Sequence, residues 1–238
     1  MIRILEDYPI ARSGQRRSAA PAFAGFGDFV LSHRDEILRS CIAAVDRHPK
    51  IPASDNLTYG QLLDHLPELC GELAALLKQP DADGIKRMAR RDARAHGWKR
   101  WRQGYKLDEL IREICLVRRD FIDTWLPAFI AANPDFDVDA QNGARRVVED
   151  FFDNVIIEAT VQFVQEHQQT LRDVKAQLRE PLGPLLMAVQ FMVREEHLSP
   201  LGLEMIQALE RCIKEESRRI EELLIVTEVF ESGTQSAD

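Results

Sequence analysis

Long apolar runs are absent from this sequence of 238 residues. No segment approaches the roughly 20 apolar residues that a membrane-spanning helix needs, and the N-terminus has early acidic residues where a secretory signal has an apolar core. The cysteines never occur at the CxxC spacing of redox and zinc motifs. We therefore expect no membrane insertion, a cytoplasmic location, and reduced, mostly buried thiols at Cys41, Cys70, Cys115 and Cys212.

Several signatures of chemistry are missing as well. The histidines and carboxylates show no HxxxH or HExxH spacing, so we expect no metal site and no cofactor. No glycine-rich nucleotide loop occurs, and no pattern points to Ser/His/Asp or Cys/His catalysis, which stays open. Basic residues number 31 against 39 acidic ones, and the net charge of −8 argues against a nucleic-acid partner.

Helical periodicity dominates what is present, and no alternating β-rich run of useful length accompanies it. Apolar residues recur every three or four positions in three N-terminal segments, which predicts helices over about 23–45, 58–77 and 107–130. A further helix is predicted over about 85–101. Helix breakers stand at or between their ends: Pro49, Pro52, Pro80, Gly104 and Pro134. The predicted fold class is all-α.

A different pattern begins after Pro134. Apolar residues step by three and four up to about residue 194, and again from Leu201 to about Phe230. Between the two segments, Ser199 is a predicted N-cap with Pro200 at the first helical position. Helices joined in this way form an antiparallel hairpin, whose apolar stripe is buried when two copies pair as a four-helix bundle. We therefore predict a homodimer.

The first hairpin helix contains the segment Ala176-Gln177-Leu178-Arg179-Glu180-Pro181-Leu182, and the second ends in Glu231-Ser232-Gly233. Both resemble the dimerisation and phosphoacceptor hairpin of bacterial sensor histidine kinases, whose first helix carries a His-Glu-Leu-Arg-x-Pro-Leu box. By this resemblance Ala176 occupies the phosphoacceptor position and Gln177 the acidic position beside it. Neither side chain can perform that chemistry, so both positions are degenerate. The helix-internal proline is expected to bend the helix.

The resemblance therefore implies a histidine kinase-like scaffold that has lost its chemistry. The family's ATP-binding domain does not follow within the 238 residues, and we expect a non-catalytic two-component regulator, or pseudo-histidine kinase. Its expected partner is a response regulator or a histidine kinase, docked at Arg179, Glu180, Pro181 and Leu182. An alternative is phosphotransfer at His167, although the polar stretch around His167 is more typical of a solvated helix face.

The N-terminal half carries a second motif, which follows the segment 57–69 and consists of His96, Arg100, Gly104, Glu109, Glu113 and Arg118. The motif resembles the helical sensory domain of the stressosome co-antagonist type, which also precedes histidine kinase hairpins. The resemblance covers about residues 25–165 and implies a globin-like bundle without haem that receives a signal or contacts a partner. The alternative function is therefore a stressosome-like sensory scaffold or adaptor that acts through this domain.

A basic segment accompanies this motif, with nine Lys or Arg and a single acid, Asp92, over residues 86–106. One interpretation is a patch that docks an anion or a partner. The interpretation we favour is internal pairing across two helices that the Gly104 turn folds together, between Arg100, Arg112, Arg118 and Glu109, Glu113. His96 stands among basic residues in the sequence, so we do not expect it to be a haem ligand.

The predicted organisation has four parts. They are a loose N-terminal segment, a helical sensory domain, a dimerisation hairpin and a short tail, over residues 1–21, 22–165, 166–233 and 234–238.

Overall fold

The computed structural model describes residues 21–193 and 199–232. Residues 1–20 of the predicted loose N-terminal segment and the whole predicted tail lie outside the described residues. Every regular element within these ranges is a helix, which confirms the all-α prediction. In chain order the elements are α1 (Ala24–Ser32), α2 (Arg34–Val45), a 3-10 turn (Pro52–Asn56), α3 (Tyr59–Leu63), α4 (Leu66–Lys78), α5 (Asp83–Arg102), α6 (Leu107–Asp120), a π-helical turn (Phe121–Trp125), α7 (Leu126–Ala132), α8 (Val138–Val193) and α9 (Pro200–Ser232).

Three of the predicted helices are divided in the structure. The helix predicted over 23–45 breaks at His33, which ends α1 and precedes α2. The helix predicted over 58–77 breaks at Asp64 and His65, and Pro67 then lies in the first turn of α4, where its missing N–H breaks no intrahelical bond. The helix predicted over 107–130 widens into the π-helical turn, and Pro127 lies in the first turn of α7.

The apolar stripes predicted for the N-terminal helices form one contiguous core. Helix α8 crosses this core with one face of buried residues, namely Ala144, Val148, Phe151, Phe152, Val155, Ala159 and Phe163. Two close approaches bring neighbouring helices together at glycines, since a Cβ on Gly27 would lie 2.6 Å from the carbonyl oxygen of Ala74, and one on Gly97 would overlap the backbone of Ala159. The prediction of mostly buried thiols is correct for Cys41 and Cys70 but wrong for Cys212, which is exposed.

A single helix joins the core to the hairpin. Helix α8 has 56 residues, which corresponds to a length of about 84 Å, and it continues through Pro181 and Pro184. Ser199 caps α9 as predicted, because its hydroxyl oxygen accepts a hydrogen bond from the backbone N–H of Gly202 at 3.1 Å. Val189 and Ile213 are buried where the hairpin helices pack together. No helix in the described part of the chain has the length and apolar character to cross a membrane.

Candidate functional site

Four residues of the N-terminal motif, His96, Arg100, Glu109 and Glu113, are buried around the turn that connects α5 and α6. Gly104 forms this turn with a φ of 81°, a value that favours glycine, and folds α6 back along α5. The backbone N–H of Tyr105 then donates to the carbonyl of Arg100 at 3.1 Å. This geometry brings His96 and Arg100 of α5 beside Glu113 of α6, and we call these three residues together with Asp64 the buried polar cluster.

Arg100 is the centre of the cluster and is fully buried. Its Nε and Nη2 donate to the carboxylate of Glu113 at 2.9 and 2.6 Å. The remaining guanidinium hydrogens are directed to the carbonyls of Gln61 and Leu62 and to the side chain of Gln103. All five donors of the fork are therefore satisfied, as a buried guanidinium requires.

His96 lies between two carboxylates. Its Nδ1 is 3.5 Å from Oδ2 of Asp64, and its Nε2 is 3.6 Å from Oε1 of Glu113. The side chain of Asp64 is buried and also contacts Lys99. Burial alone would raise the pKa of Asp64, but the interactions with His96 and Lys99 outweigh it and lower the pKa to about 2. The partners of His96 are thus carboxylates from α6 and from the α3–α4 junction, although basic residues flank it in the sequence.

Asp64 is held in an unusual backbone conformation. Its φ is 33°, in the left-handed region that non-glycine residues adopt at some cost, and its N–H still bonds the carbonyl of Gly60. The break between α3 and α4 thus directs one carboxylate into the core. The role of Asp64 is not apparent from the sequence, because its partner His96 lies 32 positions away and no local motif joins them. The one cue in the sequence to the break at Asp64 is Pro67, three residues later, because proline is frequent in the first turn of a helix.

The other motif residues serve different contacts. Glu109 accepts hydrogen bonds from the backbone N–H groups of Lys106 and Ala53, at 2.6 and 3.3 Å. Arg118 pairs with Asp153 of α8 at 2.6 Å. Of the internal pairings that we favoured, the one between Arg100 and Glu113 is present. Those expected for Arg112 and Arg118 with Glu109 and Glu113 are not seen among the described residues.

Apart from the buried polar cluster, a pair of acidic residues is buried where α4 packs against α5. Glu72 and Asp92 are both buried, and neither carboxylate oxygen of Glu72 has a hydrogen-bond partner in the described structure. Burial and the neighbouring charge of Asp92 raise the pKa of Glu72 to about 8. The only sequence cue was Asp92 as the single acid of the basic segment.

Helix α5 connects the buried polar cluster to α8. Trp101 follows Arg100, and its ring meets Phe163 and His167 edge-on at centroid distances of 5.2 and 5.0 Å. A shift of α5 that alters the pairing of Arg100 therefore also moves the contact with α8. The cluster contains no thiol or hydroxyl nucleophile, and no group of His, Cys, Asp and Glu in the described residues is arranged to hold a metal ion.

The predicted hairpin positions lie far along α8 from the cluster. Ala176, Gln177, Arg179, Glu180 and Pro181 are exposed, and Leu182 is half-buried. An apolar stripe along the hairpin is exposed as well, with Val174, Leu178, Leu185 and Met192 on α8 and Leu201, Met205 and Leu209 on α9. Met187 and Phe191 are exposed on the opposite side of α8. The structure thus brings His96, Arg100 and Glu113 together and keeps the hairpin residues as a separate surface.

Comparison with known proteins agrees with the N-terminal motif. Residues 34–178 match the family model described as the RsbT co-antagonist protein rsbRD N-terminal domain. Comparisons with curated proteins and with solved structures gave no significant match. The matched span covers more than half of the chain and includes the whole buried polar cluster. The chain therefore belongs to the family of the RsbT co-antagonist rsbRD N-terminal domain and has a stressosome-like sensory and signalling role.

Proposed function

We propose that the chain is a non-catalytic, dimeric signalling protein in which the N-terminal domain controls a histidine kinase-like hairpin that docks a response regulator or a histidine kinase. One observation carries the proposal. A single helix, α8, contributes Phe151, Phe152 and Phe163 to the N-terminal core and then forms the first half of the hairpin. Because a continuous helix transmits rotation and translation along its length, a rearrangement around α5 reaches the hairpin without an intervening flexible linker.

The exposed apolar stripe supports the homodimer. Leu178, Leu185 and Met192 recur at seven-residue intervals, and about half of each side chain is exposed. This interval is the repeat of helices that pack around a common seam. A second hairpin laid along the stripe would bury it in a four-helix bundle.

The surface around Ala176 supports the docking role. Pro181 and Pro184 lack backbone N–H groups, so the carbonyls of Gln177 and Glu180 lose their donors four residues along the helix. Both residues are exposed, and we infer that their carbonyls serve as acceptors for a partner.

The test is capture of the tagged full-length protein from its native cells, with cross-linking and mass spectrometry. We expect response regulators or histidine kinases linked to residues 176–182. The charge reversal Arg179→Glu with Glu180→Arg should abolish these links and leave the dimer intact. The matched control reverses Glu216 and Arg219, an exposed ion pair on α9. Unchanged capture by the Arg179/Glu180 variant would argue against this docking surface.

The second candidate function is a sensory scaffold that acts through the N-terminal domain, and the family match over residues 34–178 favours it. Here the hairpin only joins two copies, and the stressosome-type partner contacts residues 25–130. Cross-links confined to that range, and unaffected by the Arg179/Glu180 reversal, would select this function over the docking hairpin.

Phosphotransfer at His167 is the third candidate. His167 is exposed beside Trp101, at the point where α8 leaves the N-terminal core. Acid-labile phosphate on the wild-type protein that disappears in His167→Ala would support it. Absence of acid-labile phosphate in the presence of a phosphorylated response regulator or a kinase with ATP would count against it.

A further inference from the structure

We propose that a groove between α6, α8 and the loop after α2 binds a small molecule carrying an oxyanion, a carboxylate or a phosphate group, with Arg112 and Arg119 as its principal contacts. The groove, called the α6 groove below, has a volume of about 720 Å³, within the range of about 300–1,000 Å³ typical of small-molecule sites. It is lined by Lys50 of the loop, by Arg112 and Arg119 of α6, and by Glu149 of α8.

Charge is the first argument for an anion. Lys50, Arg112, Arg118 and Arg119 line the groove against Asp123, Glu149 and Asp153, in a protein whose net charge is −8. Arg118 and Asp153 neutralise each other across the groove at 2.6 Å. Lys50, Arg112 and Arg119 have no carboxylate oxygen within 4.0 Å in the described structure. Three cations therefore remain available to a ligand.

Arg112 supplies the second argument. Its Nε is buried and has no hydrogen-bond partner among the described residues. A buried donor without an acceptor destabilises the folded state, so such a group calls for an explanation. The contrast with Arg100 is direct, because all five donors of Arg100 are satisfied by the protein. An oxyanion bound at the guanidinium of Arg112 would place a negative charge beside this unpaired donor.

The arrangement of the arginines indicates the shape of the ligand. Arg112 and Arg119 are seven residues apart on α6, about 10 Å along the helix axis, and face the same groove. Guanidinium forks bind carboxylate and phosphate through paired hydrogen bonds. Leu116 and Ile122 add apolar wall, and Glu149 and Asp123 can accept from hydroxyl or ammonium groups. A compact organic acid or phosphate ester matches this combination.

Two departures from regular backbone geometry border the same groove. The π-helical turn Phe121–Trp125 contributes Ile122 and Asp123 to the wall, and π turns are frequent at functional sites. Arg47 has a φ of 53° and directs the loop that carries His48 and Lys50 to the rim. These backbone features are consistent with a binding site, but the evidence for the site is the set of cationic side chains that line the groove.

The proposed site goes beyond the proposed function, because ligand binding requires neither the dimer nor a docked partner. A binding experiment on the full chain therefore succeeds or fails independently of the capture experiment. If both succeed, the α6 groove becomes a candidate input for the signal that α8 carries to the hairpin.

The test is isothermal titration calorimetry of the full-length protein at constant ionic strength. The probes are inorganic phosphate, succinate and O-phosphoserine, the last of which also offers an ammonium group to the acidic wall. We expect saturable binding of at least one probe, weakened about tenfold or more by Arg112→Gln and by Arg119→Gln. The matched control is Arg87→Gln, which removes an exposed arginine of α5 outside the groove and should change affinity less than about twofold.

Thermal unfolding without ligand guards against a folding artefact. Arg112→Gln should unfold at the same temperature as the wild type or a higher one, because it removes an unsatisfied buried donor. Lack of saturable binding for all three probes would overturn the proposal. Equal weakening by Arg87→Gln would overturn it as well, since that result would reflect general charge. A large loss of stability in Arg112→Gln without ligand would assign the side chain a structural role and reject the site.

Discussion

Arg100 and Glu113 form an ion pair whose two charges are removed from water together. Because removing one member of such a pair leaves an uncompensated buried charge, Glu113→Gln should lower the free energy of unfolding by about 3–5 kcal/mol. Chemical denaturation followed by circular dichroism measures this loss. The result tests whether the cluster stabilises the junction of α3, α5 and α6.

The control is Asp153→Asn, which breaks the pair with Arg118 at a carboxylate that is 58% exposed. We expect a loss below about 1 kcal/mol, because solvent screens an exposed pair. Equal losses in the two variants would contradict the assignment of Arg100 and Glu113 as the central pair.

Glu72 makes stability depend on pH. Its pKa is raised from 4.5 to about 8, first by burial and then by Asp92, with Glu68 adding to the rise and Arg91 opposing it. Between these two pH values the folded state binds a proton that the unfolded state has released, so stability falls as pH rises. Each pH unit within this window should cost up to about 1.4 kcal/mol of unfolding free energy.

Glu72→Gln should remove this dependence, because the amide resembles the protonated carboxyl and carries no charge. We expect the variant to be more stable than the wild type at pH 7.5 and nearly equal to it at pH 5. Unfolding curves recorded between these pH values provide the measurement. Glu36→Gln, an exposed carboxylate of α2, is the control and should keep the wild-type slope. An unchanged slope in Glu72→Gln would reject the role of Glu72.

At the scale of elements, the contact of α5 with α8 depends on Gly97. A Cβ at this position would lie within 2.9 Å of the Cα and carbonyl carbon of Ala159, which are backbone atoms that cannot rotate away. Gly97→Ala should therefore separate the helices and lower the unfolding free energy by about 1–3 kcal/mol. Differential scanning calorimetry of the full chain checks this value.

Gly71 provides the matched comparison, because it lies inside α4 with open space where a Cβ would be. Gly71→Ala should raise the unfolding free energy by up to about 1 kcal/mol, since alanine loses less backbone entropy in a helix. If both substitutions lowered the unfolding free energy, a Cβ would be harmful even where there is open space for it. The loss in Gly97→Ala would then no longer be evidence for a close approach between α5 and α8.

The proline positions show how far element boundaries follow from sequence. Pro67 and Pro127 each lie in the first turn of a new helix, at breaks that apolar periodicity did not reveal, because the stripe continues across them. Pro181 and Pro184 lie inside α8, which continues through both. Proline therefore indicates a boundary or an interior defect, and packing of the flanking segments decides between the two.

At the scale of the whole molecule, the hairpin leaves an apolar stripe that the single chain does not cover. Leu185→Glu should convert the predicted dimer into a monomer, because a carboxylate would then lie in the seam of the bundle. Size-exclusion chromatography with light scattering measures the mass directly. Met88→Glu is the control, with 51% of the side chain exposed against 52% for Leu185, and it lies on α5 outside the stripe. A monomeric wild type, or a dimeric Leu185→Glu variant, would contradict the predicted seam.

The sequence by itself determined the helical class, the stripes that form the core, the cap at Ser199 and the motif that the family match includes. These features follow from residues within a few turns of one another, where periodicity and capping rules apply. Only the tertiary structure decided that Asp64 joins His96, that Glu72 faces Asp92, and that Arg112 lacks an acceptor. The physical reason is that such contacts join residues far apart in the chain, and their partners depend on how the helices pack.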